Sequence, residues 1–145
     1  MRRTKFILLL LSFALVFSFI GCGLMTGPDK DVIIKITARR IAFYGFKLNP
    51  DMFTSLGEIS KQSCEQTSDQ AQPLDIAFKV IVEAISTKTK DPLLAQDIKD
   101  IAELIGVKFD AAFTLIGLTP ENLKFITLFV CSFSQGIEAA QATTK

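Results

Sequence analysis

Three cysteines, Cys22, Cys64 and Cys131, are the residues best suited to covalent chemistry in this chain of 145 residues. A thiolate can attack an electrophile, hold a soft metal or form a disulfide. The chain contains no His. That removes Ser-His-Asp and Cys-His activation, and with them every His-containing metal site. The remaining acid–base candidates are carboxylates. Asp97, Asp100 and Glu103 share one side of a predicted helix, but Lys99 sits among them, and the group reads as a solvated face rather than a catalytic or Ca²⁺ site. No CxxC, HExxH or Gly-rich phosphate loop occurs. No catalytic residue, cofactor or metal site is therefore expected, and the chain reads as a non-enzyme.

Cys22 sits at the end of a distinctive segment. Arg2, Arg3 and Lys5 form a basic start, and Phe6 to Ile20 is an apolar run broken only by Ser12 and Ser18. The run is shorter than the ~20 residues a membrane-spanning helix needs, and it suits the core of a signal peptide. It ends in Phe19-Ile20-Gly21-Cys22. This resembles the lipobox of bacterial lipoproteins. The resemblance covers residues 1–22 and implies that Cys22 takes a diacylglycerol thioether, that cleavage occurs just before it, and that the new amino group is acylated. Gly21 and Ile20 fit the pattern, whereas Phe19 departs from the usual Leu. The residue after Cys22 is Gly23 rather than Asp, which by the enterobacterial sorting rule implies the outer membrane, facing the periplasm. With residues 23–30, Gly-Leu-Met-Thr-Gly-Pro-Asp-Lys, read as a short linker, the chain divides into a signal peptide (1–21), a lipidated tether (22–30) and a domain (31–145). Fully extended, residues 23–30 reach about 26 Å, so the domain is expected close to the bilayer.

Charge gives little help with partners. Removing Arg2, Arg3 and Lys5 from the 16 basic residues leaves 13 against 15 acidic ones, a net charge of −2 for residues 22–145. No basic patch stands out, so nucleic acid is not expected as a partner. The region remains rich in Ile, Leu, Val and Phe and is long enough to bury a core.

Outside the cytoplasm, Cys64 and Cys131 form an even pair expected to oxidise. On a helical projection Cys131 shares a face with Lys124, Thr127, Ser134 and Glu138, away from the apolar stripe where an inert buried Cys belongs. A bridge would tie two helices together. The alternative is two free thiols in a reducing host.

The elements that must position these residues read as helices. Asn49-Pro50, Asp91-Pro92 and Thr119-Pro120 each pair a capping residue with a proline suited to the first helical turn. Pro73 supplies a fourth start. From Pro73, Leu74, Ala77, Phe78, Ile81 and Ile85 keep helical spacing, with Asp75, Lys79, Glu83 and Ser86 on the opposite edge. From Pro92, Leu94, Ile98, Ile101, Ala102 and Ile105 share a face that Gly106 ends. From Pro120, Leu123, Ile126, Val130, Phe133 and Ile137 form a stripe joined by Phe125, Leu128 and Phe129, which predicts a central core helix. A weaker helix from Asn49 turns Met52, Phe53, Leu56 and Ile59 inward. Residues 32–37 are β-branched and could form a strand, but such a strand would have no visible partner, so a helix from Asp31 is preferred. Phe109, Ala112, Phe113 and Ile116 suggest a short extra helix before Gly117. The fold expected is all-α, a single compact bundle of five or six helices.

Function is less legible. Nine of the thirteen Phe residues lie beyond Cys22, and they read as core side chains rather than the wall of a ligand cage. Tyr44, the only Tyr, lies with Phe43 and Phe46 in a segment that could meet a partner or ligand. Arg39-Arg40 reads as a solvated pair. The leading expectation is a lipid-anchored, non-catalytic accessory protein of a bacterial cell-envelope complex. The alternatives are a helical carrier of an apolar ligand and an exclusion or immunity lipoprotein.

Overall fold

The computed structural model describes residues 27–65, 71–109, 115–116 and 118–144, with side chains from residue 30 onward and, in the third helix, from residue 74. The signal peptide, the lipobox and most of the tether, including Cys22, lie outside the described residues. By internal packing the chain divides into Met1–Lys30 and Asp31–Lys145. Of the first unit only residues 27–30 are described.

Among the described residues five helices carry the fold: α1 (Gly27–Leu48), α2 (Pro50–Glu65), α3 (Ala71–Lys88), α4 (Pro92–Ile105) and α5 (Pro120–Ala142). The ambiguous β-branched stretch at 32–37 is helical, within α1. Ile34 in that stretch and Ala38, Ile41 and Ala42 after it form one fully buried face of α1, so tertiary packing overrides β-propensity there.

Three of the four proline starts work through their caps. The Asn49 carboxamide oxygen accepts from the Met52 amide at 3.2 Å. The Asp91 carboxylate accepts from the Leu93 and Leu94 amides at 2.8 and 3.1 Å. The Thr119 hydroxyl accepts from the Asn122 amide at 3.2 Å. Each satisfies an amide that the first turn leaves without a helical carbonyl. Pro73 has no capping residue before it, and α3 begins two residues earlier, at Ala71. At the other end of α4, Gly106 adopts φ +88°, a left-handed conformation that favours glycine.

The expected extra helix around Phe109–Ile116 is a correction. Lys108–Phe109 (β1) and Leu115–Ile116 (β2) pair antiparallel, Lys108 with Ile116 and Phe109 with Leu115. Helical spacing alone could not exclude this. Between the Gly106 stop and the Thr119 cap there is too little chain to offset the cost of nucleating another helix.

α5 is the core helix. Phe125, Ile126, Phe129, Val130, Phe133 and Ile137 are buried along it. By length and composition it is apolar enough to cross a membrane, yet these side chains are enclosed by the other helices. Phe rings pack on one another through the middle: Phe53 on Phe133, Phe129 on Phe133 and Phe78 on Phe129, at centroid separations of 5.9, 5.9 and 5.2 Å.

Contacts between helices show their relative directions. Lys124 pairs with Asp31 at 3.1 Å and Arg39 donates to Gln135 at 2.6 Å, so α1 and α5 run the same way. Lys61 pairs with Glu138 at 3.1 Å and Cys64 is bonded to Cys131, so α2 runs against α5. Where α1 crosses α5, a Cβ on Gly136 would lie 2.7 Å from the Arg39 carbonyl oxygen and 2.8 Å from the Ala42 Cβ. Only glycine permits that approach.

One edge residue departs from expectation. Ser86 sits between α3 and the neighbouring α4 and is half-buried rather than on the outer charged edge. Its Oγ is shielded from solvent and has no hydrogen-bond partner among the described residues.

Candidate functional site

The residues singled out for chemistry fall into two places. Cys64 and Cys131 are joined as a disulfide with a Cα–Cα distance of 5.6 Å, a separation ordinary for such a bond. Small residues make the approach available. Gly57, Ser60 and Ser63 are buried on α2, and Ser134 on α5. The Ser60 and Ser63 hydroxyls donate to the carbonyls of Leu56 and Ile59, at 2.6 and 2.9 Å, so neither carries an unmet polar group into the interface. The bond is a structural tie between α2 and α5.

The carboxylates do not assemble. Asp97 lies 3.9 Å from Arg40, Asp100 accepts from Gln96 at 2.6 Å, and Glu103 is exposed. Among the described residues no group of three or more Asp, Glu or Cys side chains is placed to hold a metal. Arg39 and Arg40 are both exposed but engaged, by Gln135 and Asp97.

The second place is where the Phe43–Phe46 segment meets α4. The expectation that Tyr44, Phe43 and Phe46 share a surface needs correcting. Around α1, Tyr44 points about 100° away from Phe43 and about 160° away from Phe46, and of the three only Tyr44 is exposed. Phe43 is half-buried against Tyr44, edge to face at 6.0 Å, and under the Lys47 ammonium, 4.4 Å above its ring. Phe46 belongs to the core.

What Tyr44 helps to form is a groove of about 410 Å³ between the end of α1 and the start of α4. Ile41 and Leu94 are its buried floor. Tyr44 and Leu48 rim one side, and Leu93, 76% exposed, rims the other. Arg40 and Lys47 bring cations, Asp91 and Asp97 carboxylates. One Asp91 oxygen already caps α4.

Leu93 was not among the expected site residues. It could have been found: at the first turn of the α4 pattern it falls outside the face of Leu94, Ile98 and Ile101, so a large apolar side chain had to point to solvent. Its neighbour across the groove could not be read, because nothing local joins Tyr44 to Leu93.

Compared with protein family models, curated proteins and solved structures, the chain matches none of them.

Proposed function

We propose that this protein is a lipid-anchored, non-catalytic interaction protein of the bacterial cell envelope, tethered through Cys22, and that the Tyr44–Leu48–Leu93 groove receives apolar side chains of a protein partner. The observation that carries the partner reading is the groove itself. Three large apolar residues, each more than half exposed, surround a buried aliphatic floor, with cations on the α1 side and carboxylates on the α4 side. An apolar centre with a charged rim is the usual anatomy of a docking surface. An amphipathic helix with apolar anchors and flanking charges of both signs would suit it.

The carrier alternative has less support. The Phe rings that could have lined a cage are stacked on one another, and the clefts described open at the surface. The anchor rests on the resemblance of residues 1–22 to lipoprotein signals.

The test places a photo-crosslinking side chain at Leu93 or, as control, at exposed Glu58, in the full chain solubilised gently from membranes. One envelope protein crosslinked at position 93 in stoichiometric yield, and lost on Tyr44→Ala, is the expected result. A co-purifying lipid with no protein crosslink would replace this reading with the carrier.

A further inference from the structure

The groove lies at one end of the bundle; the opposite end, where the chain enters at Asp31, is also unusually apolar on its surface. Val32 and Ile36 on the early turns of α1 are 52% and 60% exposed, and Ile116, just before α5, is 53% exposed. Leu118 is exposed beside it. Direct contacts bring these residues to one end. Lys124, in the second turn of α5, pairs with Asp31 at the start of the same unit. The Asn122 carboxamide donates to the Gly106 carbonyl at 3.2 Å, which holds the end of α4 and the β1–β2 pair at that end.

We infer that this end, through Val32, Ile36, Ile116 and Leu118, rests on the lipid bilayer and holds the groove facing away from it. The inference depends on the anchor proposed above. An anchored Cys22 leaves only residues 23–30 before Asp31, and because 27–30 already belong to α1 their span is at most about 20 Å. The apolar end is the one the tether enters, so it is the surface that meets the bilayer most often. Apolar side chains of this kind bury roughly 5–10 Å into the boundary between headgroups and acyl chains. Lys124 is paired with Asp31, exposed Lys35 and Lys108 lie beside the apolar residues, and zwitterionic lipid reads the apolar part of the contact alone.

The chain contains no Trp, which makes the test clean. Full-length protein carrying a single Ile36→Trp, Leu118→Trp or Leu93→Trp is purified from membranes, and acylation of Cys22 is read from its mass. It is then reconstituted into phosphatidylcholine vesicles with and without brominated acyl chains. The expected result is blue-shifted emission at positions 36 and 118, quenched by bromine, with water-like, unquenched emission at 93. Acylated protein with water-like emission at all three positions would overturn the docking inference and leave the anchor intact. Blue-shifted emission that bromine does not quench would assign the patch to a second copy of the chain, and also overturns it. An unmodified Cys22 would overturn the anchor and this inference together.

Discussion

Gly136→Ala should destabilise the bundle, whereas Gly57→Ala, on the facing α2, should not. Both glycines lie inside helices, where alanine is intrinsically better by about 1 kcal/mol. The two differ in what the new methyl would strike. At Gly136 its nearest neighbours would be the Arg39 carbonyl oxygen, the Ala42 Cβ and the Arg39 Cα, at 2.7, 2.8 and 2.9 Å. Two of the three are backbone. No rotamer change can relieve them, so α1 must move away from α5, stretching the packing of Ala38, Ile41 and Ala42. Overpacking of this kind costs about 1–3 kcal/mol. Set against the propensity gain, the net loss is up to about 2 kcal/mol. At Gly57 the methyl would meet only the Ile137 side chain, its Cγ2 at 2.8 Å. A side chain can rotate, and the propensity gain then roughly cancels the cost. Urea denaturation of the disulfide-bonded protein measures both, since a shift in midpoint at constant slope reports stability alone. Equal losses at the two positions, or a gain at Gly136, would refute the claim that α1 and α5 touch through their backbones.

Three further perturbations follow from the same structure. Cys64 and Cys131 are 67 residues apart, and opening a loop of that length releases chain entropy worth up to about 4 kcal/mol. Reductant, or the Cys64→Ser/Cys131→Ser pair, should therefore lower the urea midpoint far more than any surface change, and an unchanged midpoint would contradict the tie. Ser86→Ala should stabilise the protein by about 1 kcal/mol, because it removes a shielded hydroxyl that has no partner among the described residues and improves helix propensity. A loss of stability in thermal unfolding would show that the hydroxyl has a partner. Lys61 is held above its usual pKa of 10.5 by its hydrogen bond to Glu138, with the charges of Glu138 and Glu65 adding to the effect. A raised folded-state pKa contributes stability that is complete below the unfolded value and disappears as pH rises through the folded one. The pair's contribution should thus be flat at neutral pH and lost above about pH 10.5. Lys61→Met should abolish that alkaline component in pH-dependent unfolding.

Much of this architecture was legible because local and global signals agree in it. Asn49-Pro50, Asp91-Pro92 and Thr119-Pro120 announce helix starts by side-chain chemistry that operates within four residues. The α4 face of Leu94, Ile98, Ile101, Ala102 and Ile105 is buried throughout, as its spacing required. The pairing of Cys64 with Cys131 was readable from the face Cys131 occupies on α5. What escaped is non-local. Phe109 and Ile116 fit a helical spacing, and their pairing as strands depends on the short chain between two stops. Phe46 and Tyr44 look alike in sequence, and only the packing of the bundle buries one and leaves the other exposed. Ser86 was placed outside because Asp75, Lys79 and Glu83 are polar, but α4 packs far enough around α3 to cover it.

The direction of α1 links the two proposals. It runs parallel to α5 from the end where the chain enters, and Tyr44 lies thirteen residues beyond Asp31. At the rise of an α-helix that is about 20 Å. One rigid element therefore joins the apolar patch of Val32 and Ile36 to the groove at Tyr44 and Leu48. The Gly136 crossing fixes α1 on the core helix, and the disulfide fixes the core helix to α2. A bundle free to roll on its tether would present the groove at random to a partner in the same envelope. One resting on Val32, Ile36, Ile116 and Leu118 would present it at a set height and in a set direction. Holding the groove in one orientation removes part of the ordering cost of association, and this is why exposed apolar residues at both ends of one helix belong to a single functional reading.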